Sequence, residues 1–201
     1  MNPYELDYIR TLHSLELNVL NSKLLFIHIP KTAGCSIASA FDRNNSYHTK
    51  ASDIPELFFS KYYSFTFVRD PIDRCISAFY YLMKNGINQQ DSSDSNKYVK
   101  TFPTFSAFVM GGGLDTALNN QIHFMPQYKF LEGRKLDFIG KYEFLDDDLQ
   151  YILNQNNLNP VKLPKKNSSF RPKHLTFTLK KSVVKKIKNI YEEDFELFDY
   201  S

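Results

Sequence analysis

Lys23–Ser36 reads KLLFIHIPKTAGCS, and its three parts call for three different backbones. Lys23–Ile29 is a short apolar run closed by Pro30, the pattern of a strand buried on both faces in a parallel sheet. Pro30–Gly34 (PKTAG) is a turn, and Cys35–Phe41 follows with helical spacing. A strand, a turn bearing a lysine and a glycine, and then a helix make a phosphate-cradling corner. Backbone N–H groups at the helix start point at an anion, and Gly34 allows close approach. Pro30 and Ala33 shape the turn, Cys35 and Ser36 open the helix, and Lys31 with the Thr32 and Ser36 hydroxyls completes the shell. The order is not that of the NTP-hydrolysing loop GxxxxGK[ST], because Lys31 precedes Gly34 and no Lys-Ser/Thr pair follows. A nucleotide held as a group donor fits this loop better than one hydrolysed with magnesium. The plain alternative is an ordinary strand–turn–helix corner.

The next strong signal is Phe65–Phe79, FTFVRDPIDRCISAF. Tyr63–Val68 is a second apolar strand, and Arg69 stands at its end. Asp70 is placed to cap a helix with Pro71 at its first position, running to about Lys84. An arginine at a strand end and Ser77 on the following helix can converge on a phosphate, the arginine by bidentate bonding. Against that stands the reading of Arg69 with Asp73, or of Arg74, as surface ion pairs, which contribute little. For Arg74 the surface pair is the expectation.

The remaining elements are expected from the same rules. Leu12, Leu15, Val19 and Leu20 recur at helical spacing in residues 1–22, an N-terminal extension to a single domain over 23–201. Ser52–Ser60 reads as a helix capped by Ser52 or Asp53, with Glu56 in reach of a capping box. Gly86–Thr101 (GINQQDSSDSNKYVKT) lacks apolar anchors and reads as a long mobile loop. Phe102–Met110 is a helix stopped by Gly111–Gly113, Tyr128–Leu131 and Leu136–Tyr142 are strands, and Asp146–Asn154 is a helix. Asn156–Ser169 is a loop, and Leu179–Phe198 is one amphipathic helix with Val183, Val184, Ile187, Ile190 and Tyr191 inward. Strands alternating with helices imply an α/β fold, a mostly parallel central sheet with helices on both faces.

Composition narrows the classes. The chain has 201 residues, 42% of them hydrophobic and 15% aromatic, so it is long enough for a core and is not a disordered composition. A net charge of +3 is too mild for a general nucleic-acid binder. Cys35 and Cys75 form no disulfide framework or zinc spacing, and a reducing, cytoplasmic compartment is the simplest expectation. Glu5, Asp7 and Glu16 interrupt the N-terminal segment, which has no apolar signal region, and no apolar run reaches the roughly 20 residues that span a bilayer. A peripheral tether at the inner face of a membrane is compatible with that.

Together the motifs resemble a family. HIPKTAGCS looks like the 5′-phosphosulfate loop, and FVRDPIDRCISAFYY like the 3′-phosphate motif, of sulfotransferases that use 3′-phosphoadenosine 5′-phosphosulfate. The subgroup is the carbohydrate type that includes heparan 2-O- and chondroitin/dermatan sulfotransferases and bacterial relatives. QIHFMPQYKFL at Gln121–Leu131 resembles its H-x-x-P-Q-x-x-F-L stretch, and LDFIGKYEFL at Leu136–Leu145 its D-F-I-G-K/R-x-E-x-L segment. YEEDFELFDY resembles its C-terminal helix, so the likeness covers about residues 23–200. Two departures stand out: Cys35 sits where the family usually has Thr or Ser, and Met125 where an Arg commonly precedes Pro-Gln.

The resemblance implies a P-loop-NTPase-like three-layer fold and transfer of a sulfuryl group to a hydroxyl of a carbohydrate or glycolipid, with no metal and no nucleic-acid partner. Lys31 would stabilise charge on the leaving phosphate, and Arg69 with Ser77 would hold the 3′-phosphate. The acceptor hydroxyl needs a base that titrates near neutrality, which suits histidine. His48 lies between the two phosphate motifs, where the subgroup places a catalytic histidine; His123 is the other candidate, as base or substrate contact. His28 reads as a core or supporting residue, and His13 and His174 as surface. Glu143 either orients a basic group or caps the helix it begins. Asn167 and Ser169 fall where the family caps the nucleotide, and the Lys180, Lys181, Lys185, Lys186 and Lys188 face reads as solvated surface. Two other classes compete: a small P-loop nucleotide kinase, and a non-catalytic module binding a nucleotide or nucleic acid.

Overall fold

The computed structural model describes residues 19–20, 23–43, 47–164 and 179–201. In chain order these form β1 (Val19–Leu20), β2 (Leu24–Ile27), α1 (Gly34–Ala40), α2 (Glu56–Lys61), β3 (Tyr63–Val68) and α3 (Pro71–Met83). Then come α4 (Gln89–Asp94), a π turn (Ser95–Val99), α5 (Phe105–Met110), α6 (Gly113–Ala117), β4 (Phe138–Lys141), α7 (Leu145–Gln155), α8 (Lys181–Ile190) and α9 (Glu192–Leu197). They gather into two compact units. One holds the described residues up to Val68 and those from Lys129 to 164; the other holds Arg69–Tyr128 and the described residues from 179 onward.

The first unit is built on the sheet, in the order β1-β2-β3-β4. β2, β3 and β4 are parallel, with Phe26 opposite Phe65 and Phe65 opposite Phe138, while β1 joins β2 antiparallel. This is the mostly parallel α/β arrangement expected from the alternation of elements. Side chains alternate across a strand, so Leu24, Phe26, Phe65 and Phe67 share one face, packed with Ile37 of α1 and with Leu149, Ile152 and Leu153 of α7. Leu25, Ile27, Thr66 and Val68 on the other face are equally buried, which is why these strands read as unbroken apolar runs. Asp137 fixes the start of β4 on β3: its Oδ2 accepts from Ser64 N at 2.7 Å and Ser64 Oγ at 2.8 Å.

The second unit is helical. Asp70 caps α3 through its Oδ1, which accepts from Asp73 N at 2.8 Å, and Pro71 takes the first position as expected. Ile72, Cys75, Ile76, Phe79 and Leu82 follow at helical spacing and pack with Phe105, Phe108, Phe124, Val183, Ile187 and Tyr191. Phe79 and Leu82 are therefore core.

Several expectations are corrected. Val19–Leu20, read within a helix, are a strand, and the rest of that helix lies outside the described residues. α2 starts at Glu56 behind Pro55, with a 3-10 turn at Ala51–Asp53, so neither Ser52 nor Asp53 caps it. Gly86–Thr101 is not a loop but mostly helix, anchored by buried Asp91, Ser95, Tyr98 and Val99. Polar anchors replace the apolar ones that the sequence lacks: Ser95 Oγ donates to Leu82 O, and Tyr81 Oη donates to Asp91 Oδ2 at 2.6 Å. Tyr128–Phe130 is a 3-10 turn instead of a strand, because Tyr128 N is drawn to Asp194 Oδ1 at 2.9 Å. The last helix is two, broken at Tyr191.

Candidate functional site

In the first unit, the loop between β2 and α1 holds two non-glycine residues in the left-handed region, Lys31 (φ 73°) and Ala33 (φ 68°). A left-handed residue costs a non-glycine side chain free energy, and such strain gathers where a loop is shaped for a ligand. The alternation shows in exposure: Lys31, Ala33 and Cys35 are half-buried, while Thr32, Gly34 and Ser36 are buried. Thr32 Oγ1 donates to Ile29 O at 2.8 Å, so its proton braces the loop. Pro30 is buried at the base of the turn.

His28 forms the floor. Its ring is buried, stacks on Phe26 at 5.5 Å and lies 4.1 Å from the ring of His48. A Cβ on Gly34 would sit 2.0 Å from His28 Cδ2, so the glycine is required here by the imidazole packed against it. His28 is thus a supporting residue, as the sequence suggests. Its backbone carbonyl meets His48 Nδ1 at 3.1 Å.

In the second unit, Arg69 is buried at 5% exposure and held at both ends. Its N–H donates to Gln127 Oε1 and its carbonyl accepts from Gln127 Nε2, both at 2.9 Å, so one side-chain amide holds both backbone polar groups of the residue. Its Nη2 pairs with Asp73 Oδ2 at 3.3 Å. Ser77, buried, stands one turn beyond Asp73 on α3. Gln127 is itself held through its N–H, which donates to Asp194 Oδ2 at 2.8 Å. Arg74, expected in a surface pair, is fully buried and donates from Nη2 to Met125 O at 2.6 Å. Burial lowers its pKa, with the Tyr191 and Asp194 groups opposing that shift. Burial also raises the Asp194 carboxyl, against the pull of Arg74 and the backbone N–H groups of Gln127 and Tyr128.

His123, 7% exposed, is bonded to Gln121 and stacked on Tyr81 at 4.9 Å. Glu143 lies in a 3-10 turn before α7, and no side chain caps that helix. The lysines of α8 are exposed, except Lys186, which pairs with Asp115 at 2.6 Å. Asn167, Ser169, His13 and His174 lie outside the described residues. Among the described residues, no group of three or more His, Cys, Asp or Glu could hold a metal ion, and no helix is long and apolar enough to cross a membrane.

A strained lysine loop after one parallel strand and a clamped arginine after the next occur in a chain whose residues 20–201 match the family described as Sulfotransferase family. The chain belongs to the sulfotransferase family. Its mostly parallel α/β sheet is consistent with the P-loop-like fold of that family. Among curated proteins, the chain is similar to carbohydrate sulfotransferase 14 of Danio rerio, 28% identical over 165 residues, 69% of this chain and 44% of the relative. The chain thus spans less than half the length of that relative. No solved structure matches.

Within this sulfotransferase-family chain, the residues that sequence reading left without a role are Gln121 and Gln127. Both lie in the quoted QIHFMPQ stretch, so the signal was present as a motif. The role was hidden, because Gln127 acts on a residue 58 positions away.

Proposed function

We propose that the protein transfers a sulfuryl group from 3′-phosphoadenosine 5′-phosphosulfate to a carbohydrate hydroxyl. The observation that carries this reading is the loop with left-handed Lys31 and Ala33, in a chain of the sulfotransferase family. The residues fit the donor chemically. Successive N–H groups around left-handed positions make a concave anion site, and Lys31 adds the cation. Pro30, Thr32, Gly34, Cys35 and Ser36 shape that cradle for the 5′ side, and Cys35 brings a thiol in place of a hydroxyl. Arg69, preset by Gln127, with Ser77 takes the 3′-phosphate; the phosphate displaces the Asp73 carboxylate from the guanidinium.

When bound, the donor supplies an activated sulfur–oxygen bond. A base removes the proton of the acceptor hydroxyl as its oxygen forms a bond to sulfur. The bond from sulfur to the bridging phosphate oxygen breaks, and that oxygen keeps the electron pair. The products are a sulfate ester, nucleoside 3′,5′-bisphosphate and a proton. Lys31 is the group that stabilises negative charge growing on the leaving oxygen. His48 and His123 are the two candidate bases. The carbohydrate acceptor is supported by the likeness to carbohydrate sulfotransferase 14.

The test is transfer of radiolabel from sulfur-labelled donor to a panel of polysaccharides and glycolipids. Label in a glycan, lost in Lys31→Ala, is the expected result. A purified, folded protein that labels no glycan and releases no 3′,5′-ADP overturns the reading. Magnesium-dependent ATP consumption in its place would identify a kinase.

A further inference from the structure

Residues 124–128 (FMPQY), an irregular stretch of the second unit, are held mainly by side chains. Phe124 N–H donates to the Gln121 carbonyl at 3.0 Å, and Pro126 has no N–H to give. Buried side chains take up the groups that follow. Tyr191 Oη donates to Phe124 O at 2.7 Å, and Arg74 Nη2 to Met125 O at 2.6 Å. The two carboxylate oxygens of Asp194 accept from Gln127 N–H at 2.8 Å and Tyr128 N–H at 2.9 Å.

Asp194 is the least expected of these partners. It stands in the first turn of α9, where a carboxylate ordinarily faces solvent and the N–H groups of its own helix, as exposed Glu192 and Glu193 are placed to do. Asp194 is instead fully buried and reaches 67 and 66 positions back along the chain. Burial works against its charged form, and the attraction of buried Arg74 works for it. A buried charge of this kind adds little net stability, so its effect lies in what it holds in place.

What it holds is Gln127. With the Gln127 main chain fixed, the side-chain amide meets the N–H and the carbonyl of Arg69, and the Arg69 guanidinium lies beside Asp73. Asp194, Gln127 and Arg69 form one run of hydrogen bonds from α9 to the residue that precedes the cap of α3, and all three belong to the second unit.

We propose that Asp194 is a positioning residue for the 3′-phosphate of the donor, acting through Gln127 on the backbone of Arg69. The proposal rests on the transfer reading above, in which Arg69 takes that phosphate. Its consequence is selective. Loss of Asp194 weakens the share of affinity that the 3′-phosphate contributes and spares the share contributed by the rest of the nucleotide.

Titration calorimetry of the full chain with 3′,5′-ADP and 5′-AMP reads that share as a ratio of dissociation constants. The wild-type ratio is expected to be at least about ten. Asp194→Asn keeps one oxygen but sets an amide N–H against the other backbone donor. Its ratio falls to about threefold or less, with 5′-AMP affinity within about twofold of wild type. Gln127→Met removes both bonds to Arg69 at similar volume and lowers the ratio as far; the double variant lowers it no further, because the two residues act in series. Tyr191→Phe loses a bond to the same stretch and keeps the ratio, which separates positioning from general damage to this core.

Amide hydrogen exchange of the wild type is a second reading that needs no variant to fold. Coupling is reciprocal, so 3′,5′-ADP slows exchange at Gln127 and Tyr128 at least about threefold more than 5′-AMP does at equal saturation. A wild-type ratio retained in Asp194→Asn, a second fall of equal size in the double variant, a ratio lowered as far by Tyr191→Phe, or exchange slowed equally by both nucleotides overturns the inference alone. A wild type with no preference for 3′,5′-ADP overturns the donor reading, and the role of Asp194 falls with it.

Discussion

Lys31 sits at φ 73°, where alanine is strained about as much as lysine. Lys31→Ala therefore removes the ammonium without relaxing the loop. The expected result is a loss of about 10²–10³ in kcat/KM, the scale of one lost electrostatic donor, with Tm unchanged. Near wild-type turnover would remove Lys31 from the mechanism. At this scale the charged residues of the candidate site stand out in the sequence, because Lys31 and Arg69 lie in motifs whose order is informative. Arg74 does not: a second arginine one turn into α3 resembles a solvated partner for Asp70 or Asp73, and only the fold takes it to full burial against Met125 O. Gln121 and Gln127 were also opaque. A glutamine announces nothing until its two partners are known.

The element that sets Arg69 is the clamp between Gln127 and the peptide after β3. In Gln127→Ala the Arg69 N–H and carbonyl lose their partners, costing about 1–3 kcal/mol in urea unfolding. Because the guanidinium loses its preset position, KM for the donor rises by more than kcat falls; an unchanged KM with a stability loss alone would leave Gln127 structural. Elements with strong local signals were legible to within a few residues. Tyr63–Val68 and the Asp70-Pro71 start of α3 carry their own apolar run and cap. α4 was missed although Asn88 accepts from Asp91 N at 2.8 Å, a cap written in NQQD, because no apolar stripe followed it. Its core contacts run instead through Tyr81–Asp91 and Ser95–Leu82. The break between α8 and α9 was hidden for the same reason. Tyr191 Oη donates to Phe124 O at 2.7 Å and Asp194 turns to Gln127 and Tyr128, demands that helical periodicity does not express.

For the molecule as a whole, the buried α3 core fixes how stability varies at alkaline pH. Burial pushes the Cys75 thiol up to about 12 from an ordinary 9.0, and the Tyr191 phenol well above its usual value. A raised folded pKa means the folded state keeps a proton that the unfolded chain loses. Stability is then full below pH 9 and falls as pH rises toward about 12, by up to about 1.4 kcal/mol per pH unit for each such group. Cys75→Ala should flatten the part of this decline that begins near pH 9, measured by denaturant unfolding across pH; an unaltered slope would contradict the assignment. The general α/β plan was legible because parallel strands buried on both faces are continuous apolar runs. β1 was not, since Val19–Leu20 is too short to carry a period.

The most direct test of the donor site is titration calorimetry of the protein with 3′,5′-ADP and with 5′-AMP under one buffer. Binding of 3′,5′-ADP at least about tenfold tighter, a gap of about 1.4 kcal/mol that closes in Arg69→Ala, is the predicted result. Equal affinity for the two nucleotides, or no heat with either, would contradict it.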